Sequence, residues 1–304
     1  MSAGVEVIIN ASAGGESSAE DAGALERAFA ACGLEARVAQ ARDGEDLKEL
    51  ARRALGRDAR SVVAGGGDGT VNAVASQLVG THRALGLLPL GTLNHFAKDL
   101  HIPLQLEDAA RVVCEGHEVS VDVGEVNGQI FINNSGLGLY PLIVRRREKL
   151  QERLKSGKWP AFFWAALSVL RRHPFLSVRL SVDGQEIVRK TPFVFIGNNE
   201  YEIESLDIGA RRRLDAGYLS LYVAHRTGRL GLFWLAVRAL CGRLRQAKDF
   251  DALCAKEIWV ETSRPRRLPV AADGEVTLMT TPLHYRVLPG ALRVIVPRTE
   301  ISDE

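Results

Sequence analysis

Little in this chain points to disulfides or to a histidine- or cysteine-based metal centre. Its 304 residues include four cysteines (Cys32, Cys114, Cys241 and Cys254), scattered and without a C-x-x-C pair. That spacing excludes a disulfide framework and a zinc site and fits a reduced compartment. The seven histidines form no H-E-x-x-H or similar pair, which argues against a histidine metal site. Two almost wholly apolar stretches, Trp159–Leu170 and Leu230–Cys241, are too short to span a bilayer. About 12 residues at ~1.5 Å each give roughly 18 Å, against ~30 Å of hydrocarbon. No signal peptide is read ahead of Val5, and Ser2 argues against N-myristoylation, so the expected location is the cytoplasm. Net charge is also small, +2, but it is unevenly spread. Residues 1–122 carry 11 Lys/Arg and 18 Asp/Glu, whereas residues 123–304 carry 28 and 19. Opposite charge on the two halves predicts two domains with different surfaces to face.

The strongest positive signal is Ser61–Asn72, Ser-Val-Val-Ala-Gly-Gly-Gly-Asp-Gly-Thr-Val-Asn. A β-branched run ends in three glycines, an aspartate, a fourth glycine and a threonine. Helical spacing starts at once, with Val71, Val74, Ala75, Leu78 and Val79 on one face. A strand feeding a helix through glycines gathers free N–H groups and the positive helix end at one point, which suits a phosphate. The glycines are expected to supply positive φ angles and room for that phosphate. Asp68 is more telling. A bare carboxylate repels a phosphate, so its presence suggests a Mg²⁺ or a donor hydroxyl between them. The plain alternative is a tight βα turn capped by the Asp or a Thr. No lysine follows the glycines, as a P-loop requires, and a dinucleotide fingerprint would place glycine at Thr70.

Up to about residue 120 the pattern alternates strand and helix. Strands are predicted over Val5–Asn10, Ala36–Ala39 and Ala84–Leu90. Helices are predicted over Ala19–Cys32, Asp46–Leu55, Leu93–Leu100 and Gln105–Glu115. Alternation of this kind implies a doubly wound parallel sheet, with ligands at the carboxyl ends of its strands. Beyond that point Asn127-Gly128, Asp183-Gly184 and Asp273-Gly274 each separate strand-like runs, the signature of hairpins. The second half is therefore read as antiparallel β, with helical insertions near 141–172 and 229–248. The boundaries expected are 1–122 and 123–290, with the strand Ala291–Pro297 returning to the first domain.

The glycine segment resembles the Gly-Gly-Asp-Gly-Thr motif of the diacylglycerol kinase and sphingosine kinase superfamily of lipid kinases, related in fold to NAD kinases and phosphofructokinases. Other stretches are similar to that family in the same order. They are Val5–Gly15, with Ala11 where proline is usual; Leu88–Ala97; Val121–Gly124; Ile196–Asn199; and Ala271–Glu275. The resemblance implies a nucleotide-binding α/β domain followed by a β-sandwich, with ATP and Mg²⁺ as cofactors. It implies Glu275 as the proton acceptor and Asp68 as organiser of metal and phosphates. Asn10, Ser12, Gly14, Gly66, Gly67, Gly69, Thr70, Asn72, Gly91, Thr92 and Asn94 would line the nucleotide site. Asp122 would join a supporting hydrogen-bond network. Three positions depart from the pattern: His95 stands where an aspartate is common, Ala216 where a structural Mg²⁺ ligand is usual, and Ala41 in place of a threonine. Asp215 is the remaining candidate for that ion.

On the acceptor side, Arg145–Lys158 holds seven Lys/Arg against two Asp/Glu and precedes the apolar Trp159–Leu170. Leu230–Cys241 is followed by Arg243, Arg245 and Lys248. Both read as interfacial helices at an anionic membrane, or else as core helices of the second domain. Arg211–Arg213 reads either as a phosphate contact or as a solvated loop. The expected activity is a peripheral, cytoplasmic lipid kinase, with diacylglycerol as the leading acceptor and no nucleic-acid partner; a homodimer is left open. Alternatives are a kinase of a long-chain base, of phosphatidylglycerol or of a soluble acceptor, and a nucleotide-binding regulator without turnover.

Overall fold

A computed structural model describes residues 4–11, 18–57, 59–141, 175–201, 211–224 and 250–298. The predicted helical insertions near 141–172 and 229–248, with their apolar and basic stretches, lie outside the described residues, as do Ser12 and Gly14. The chain forms two compact units, Met1–Val123 with Pro289–Glu304, and Gly124–Leu288. No described helix is long and apolar enough to cross a membrane.

The first unit begins with β1 (Gly4–Asn10), α1 (Ser18–Ala31), β2 (Glu35–Ala41), α2 (Gly44–Leu55) and β3 (Ala59–Gly66). It continues with α3 (Asp68–Leu78), β4 (Ala84–Pro89), α4 (His95–Asp99), α5 (Leu106–Glu115) and the start of β5 (His117–Val126). The strands lie side by side in the order β2-β1-β3-β4, all parallel. Successive residues of β3 and β4 are buried without alternation, because helices cover both faces of the sheet. The sequence supplies this directly in Val62, Val63, Ala64, Leu85, Leu87 and Leu88, all buried. Helix α1 ends where expected, at Gly33, whose φ of 74° a side chain would oppose. Helix α2 starts earlier than its apolar spacing suggested, because Asp43 caps it by accepting from the N–H groups of Glu45 and Asp46.

The second unit contains β6 (Gln129–Phe131), β7 (Asn134–Gly138), β8 (Leu176–Val182), β9 (Gln185–Thr191), β10 (Phe193–Asn198) and β11 (Leu219–Ala224). Then come β12 (Phe250–Ala255), β13 (Glu257–Thr262), β14 (Arg267–Ala272), β15 (Glu275–Thr280) and β16 (Leu283–Val296). One antiparallel layer has the order β12-β11-β10-β7-β14-β15. The other runs β16-β13-β8-β9. Inward residues of both layers, among them Leu137, Ile196, Leu221, Val270, Leu180 and Ile258, share one apolar core. Each such side chain contributes about 1.5–3 kcal/mol by burial. β16 starts against β13, Leu283 facing Val260, and its later residues Arg293 and Val294 pair in parallel with β4.

All three predicted hairpins form with two successive residues at positive φ. The angles are 48° and 85° at Asn127-Gly128, 46° and 86° at Asp183-Gly184, and 46° and 88° at Asp273-Gly274. These are the angles a two-residue turn needs to match the strand twist.

Candidate active site

In the first unit the order of strands reverses its direction of growth between β1 and β3, the place where open α/β sheets bind ligands. Asn10 ends β1 and Gly66 ends β3, and the Asn10 amide donates to the Thr70 hydroxyl at 3.2 Å. The β4–α4 loop closes on the same point. Gly67 and Gly91 touch backbone to backbone: a methyl group added at Gly67 would stand 3.3 Å from the Gly91 Cα. Asp68 Oδ1 accepts from the Phe96 N–H at 3.3 Å. The sequence-distant segments Asn10, Gly66–Asn72 and Gly91–Asn94 are thereby brought together.

The glycines serve a different purpose from the one expected. None of Gly65, Gly66, Gly67 and Gly69 has a positive φ. Gly66 is required because an added Cβ would fall on the Thr70 side chain, and Gly91 because one would fall on the Gly67 backbone. Gly69 alone of the four has nothing within 4 Å of an added Cβ among the described residues. The Asp or Thr cap of the alternative reading is absent. The N-cap of α3 is Gly67, without a side-chain hydrogen bond, and the first intrahelical bond runs from Val71 N–H to Gly67 C=O. The N–H groups of Asp68, Gly69 and Thr70 therefore point out of the helix end with no intrahelical acceptor. Thr70 sits in the first turn, 4% exposed, and takes the Asn10 bond instead of capping. Beside it Asn72 is 7% exposed, and its Oδ1 accepts nothing among the described residues.

Asn94 departs from its assignment to the nucleotide. Its Oδ1 accepts from Gly91 N–H at 3.1 Å, and its Nδ2 donates to the carbonyls of Pro89 and Gly91 at 3.3 and 2.8 Å. With both ends of the amide engaged and φ at 51°, Asn94 shapes the loop. Thr92 and His95 are exposed. Asp122 is buried and accepts from Gly290 N–H at 2.9 Å, tying the returning segment to the first unit.

In the second unit Glu275 is exposed at the start of β15. The turn before it is held firmly. Half-buried Asp273 accepts from the N–H groups of Ile132, Asn133 and Asn134 at 2.6, 2.9 and 2.9 Å, and its own N–H donates to Asn134 C=O at 2.8 Å. Burial pushes the Asp273 carboxyl up to about 6, against the opposing pull of those donors and of Arg211. Arg211 is neither a phosphate contact nor a solvated residue: it is 4% exposed and bound to the backbone. Its Nη1 donates to Ile132 C=O at 2.7 Å and Asn198 C=O at 3.1 Å, and its Nη2 to Asn133 Oδ1 at 2.8 Å. Asn198 adds a bond from Nδ2 to Ile132 C=O at 3.0 Å. An arginine in a run of three gave no sequence signal for this role.

The metal role given to Asp215 is not supported. Its carboxylate takes two bonds from Arg213, at 3.0 and 3.4 Å, and that guanidinium holds it below the usual carboxylate range. Among the described residues no three His, Cys, Asp or Glu side chains gather as a metal site. A Mg²⁺ bound mainly by substrate phosphates and water needs only one or two carboxylates, and Asp68 beside the open helix end fits that requirement.

Residues 4–126 match the family model of the diacylglycerol kinase catalytic domain. Residues 145–296, half of the chain, match that of the YegS C-terminal NAD kinase beta sandwich-like domain. A diacylglycerol kinase of Staphylococcus carnosus (strain TM300) is 29% identical over 229 residues, covering 74% of this chain and 72% of the relative. One from Staphylococcus aureus (strain bovine RF122 / ET3-1) is 27% identical over 259 residues, covering 84% and 80%. Among solved structures, a diacylglycerol kinase from Bacillus anthracis str. Sterne superimposes with a TM-score of 0.72 at 22% identity, covering 97% of each chain, which supports the fold. The chain belongs to the diacylglycerol kinase family of lipid kinases.

Proposed function

We propose that this chain transfers the γ-phosphate of ATP to the hydroxyl of diacylglycerol, giving phosphatidic acid. The observation that carries the reading is the uncapped α3 terminus, three outward N–H groups beside the one glycine of the loop that borders open space. In the reaction the lipid hydroxyl oxygen attacks the γ-phosphorus and the bond to the β–γ bridging oxygen breaks. ADP leaves, and the hydroxyl proton passes to Glu275. A carboxylate base contributes on the order of 10²–10⁴-fold. The N–H groups of Asp68, Gly69 and Thr70 take phosphate oxygens. The Thr70 hydroxyl, accepting from Asn10, keeps its own hydrogen free to donate, and Thr92 offers a second hydroxyl. Asn72 Oδ1 accepts from a donor of the nucleotide. Mg²⁺ held at Asp68 supplies charge neutralisation on the phosphates when bound.

The basic excess of residues 123–304 supports docking on an anionic leaflet, where each basic residue is worth about 1 kcal/mol. The test is incubation with labelled ATP and a panel of diacylglycerol, long-chain base, phosphatidylglycerol and soluble acceptors, with vesicles of graded anionic content. Labelled phosphatidic acid that rises with anionic lipid is expected. Label only in a soluble acceptor overturns the reading.

A further inference from the structure

We propose that Arg211 is a positioning residue for phosphoryl transfer, acting through the Ile132–Asn134 segment and Asp273 on the turn that carries Glu275. The inference rests on Glu275 being the base.

Ile132–Asn134 is gripped from two sides. Its N–H groups are consumed by Asp273, while its Ile132 carbonyl and Asn133 side chain are taken by the Arg211 fork. The same fork reaches Asn198 C=O, so one guanidinium joins the β6–β7 connection to the end of β10. Arg211 also meets Tyr201, whose ring lies 5.5 Å from the guanidinium carbon and whose hydroxyl donates to Asn133 C=O at 3.0 Å. The four hydrogen bonds by which Asp273 holds the turn therefore all end on a segment that Arg211 braces. A planar fork of fixed geometry does this and an ammonium does not. A misplacement of about 1 Å at a reacting group costs on the order of 10²-fold in rate.

Arg211 is also the charged partner that favours the ionised form of Asp273. The groups around that carboxyl on the β6–β7 connection and at the end of β10 are Ile132, Asn133, Asn134 and Asn198, all uncharged. Glu275 is the titratable neighbour on its own hairpin. Protonation replaces an accepting oxygen with a hydroxyl and changes how the carboxyl meets those three N–H groups. Loss of the Arg211 charge moves that protonation to higher pH.

The experiment compares Arg211→Lys, Arg211→Met, Asp273→Asn and the Arg211→Met/Asp273→Asn double variant, with Glu275→Gln in parallel. Arg211→Lys and Arg211→Met are expected to lower kcat by about 10- to 100-fold with KM for ATP unchanged. The acid limb of the Arg211→Met kcat profile moves to higher pH. The double variant loses less than the product of the singles, since both act through one segment. Should Arg211→Met not fold, Arg211→Lys carries the kcat and double-variant comparisons. Unchanged kcat in Arg211→Lys with Glu275→Gln inactive overturns this inference alone, as does strict multiplicativity of the two losses. Full turnover in Glu275→Gln overturns the reading of the base on which it rests.

Discussion

The β3–α3 loop of the first unit and the β14–β15 turn of the second share an Asp-Gly pair and use it in opposite ways. Around Asp68 the backbone donors are offered outward. Gly67 provides no cap, and the carboxylate turns aside to the Phe96 N–H. Around Asp273 three donors are consumed by a half-buried carboxylate. A third instance lies between. Asp183 has the same turn angles and accepts from the N–H groups of Lys256 and Glu257 at 3.0 and 3.1 Å, but these bonds are exposed to water. The comparison teaches that an Asp-Gly pair fixes the turn, while its surroundings decide whether the aspartate anchors, solvates or frames a ligand site.

The sharpest break between the turns is chemical. Glu275→Gln is expected to lower turnover by about 10²–10⁴-fold with ATP affinity retained. Glu186→Gln, in the copy Asp183-Gly184-Gln185-Glu186, leaves turnover unchanged. Steady-state kinetics with nucleotide binding measured separately on both variants checks this. Equal losses in the two would erase the distinction.

Next in size is proton linkage. A carboxyl raised by burial to about 6 in the folded state, against 3.8 as its ordinary value, binds protons more tightly folded than unfolded. Its contribution to stability is complete below about 4 and is lost as pH rises through about 6, by up to about 3 kcal/mol. Asp273→Asn removes that dependence. The difference between wild-type and variant unfolding free energies should therefore slope between pH 4 and 6 and flatten above. Denaturant titrations of both proteins across that range measure it.

Gly66→Ala is the third break. Its methyl group meets the Thr70 Cβ and Cγ2 at 2.6 and 2.8 Å, inside a loop with no slack. A loss of about 1–3 kcal/mol is expected, read as a fall in the denaturant midpoint. A stable Gly66→Ala with intact ATP binding would show that the packing against Thr70 is not needed.

Much of this contrast was legible before any coordinates. The strand–helix order of the first unit came from apolar runs and helical spacing, and the three hairpins from Asn-Gly and Asp-Gly pairs, because both signals are local. What escaped was set by contacts distant in sequence. Arg211 reads as one of three arginines, yet its partners Ile132 and Asn133 lie 79 and 78 residues away. Gly66 and Gly91 read as phosphate glycines, but their necessity comes from Thr70 and from the meeting of two loops. Asn94 matched a nucleotide motif while its amide is spent on its own loop. Asp215 stands beside a metal-ligand position of the family, but its carboxylate is taken by Arg213.

Gly69 isolates the smallest effect and separates stability from function at one position. It lies in the first turn of α3, outside the positive-φ region, and an added methyl group meets nothing within 4 Å. Alanine suits a helix better than glycine by roughly 0.5–1 kcal/mol, so Gly69→Ala is expected to raise stability by up to that amount. The open space it enters is where a phosphate would approach the N–H groups of Asp68, Gly69 and Thr70. ATP affinity should therefore fall while the protein becomes harder to unfold. Calorimetric titration with ATP and a thermal melt of the same sample measure the two effects together. A variant that gains stability and binds ATP as before would mean that the α3 terminus, for all its unclaimed donors, is not where the nucleotide rests.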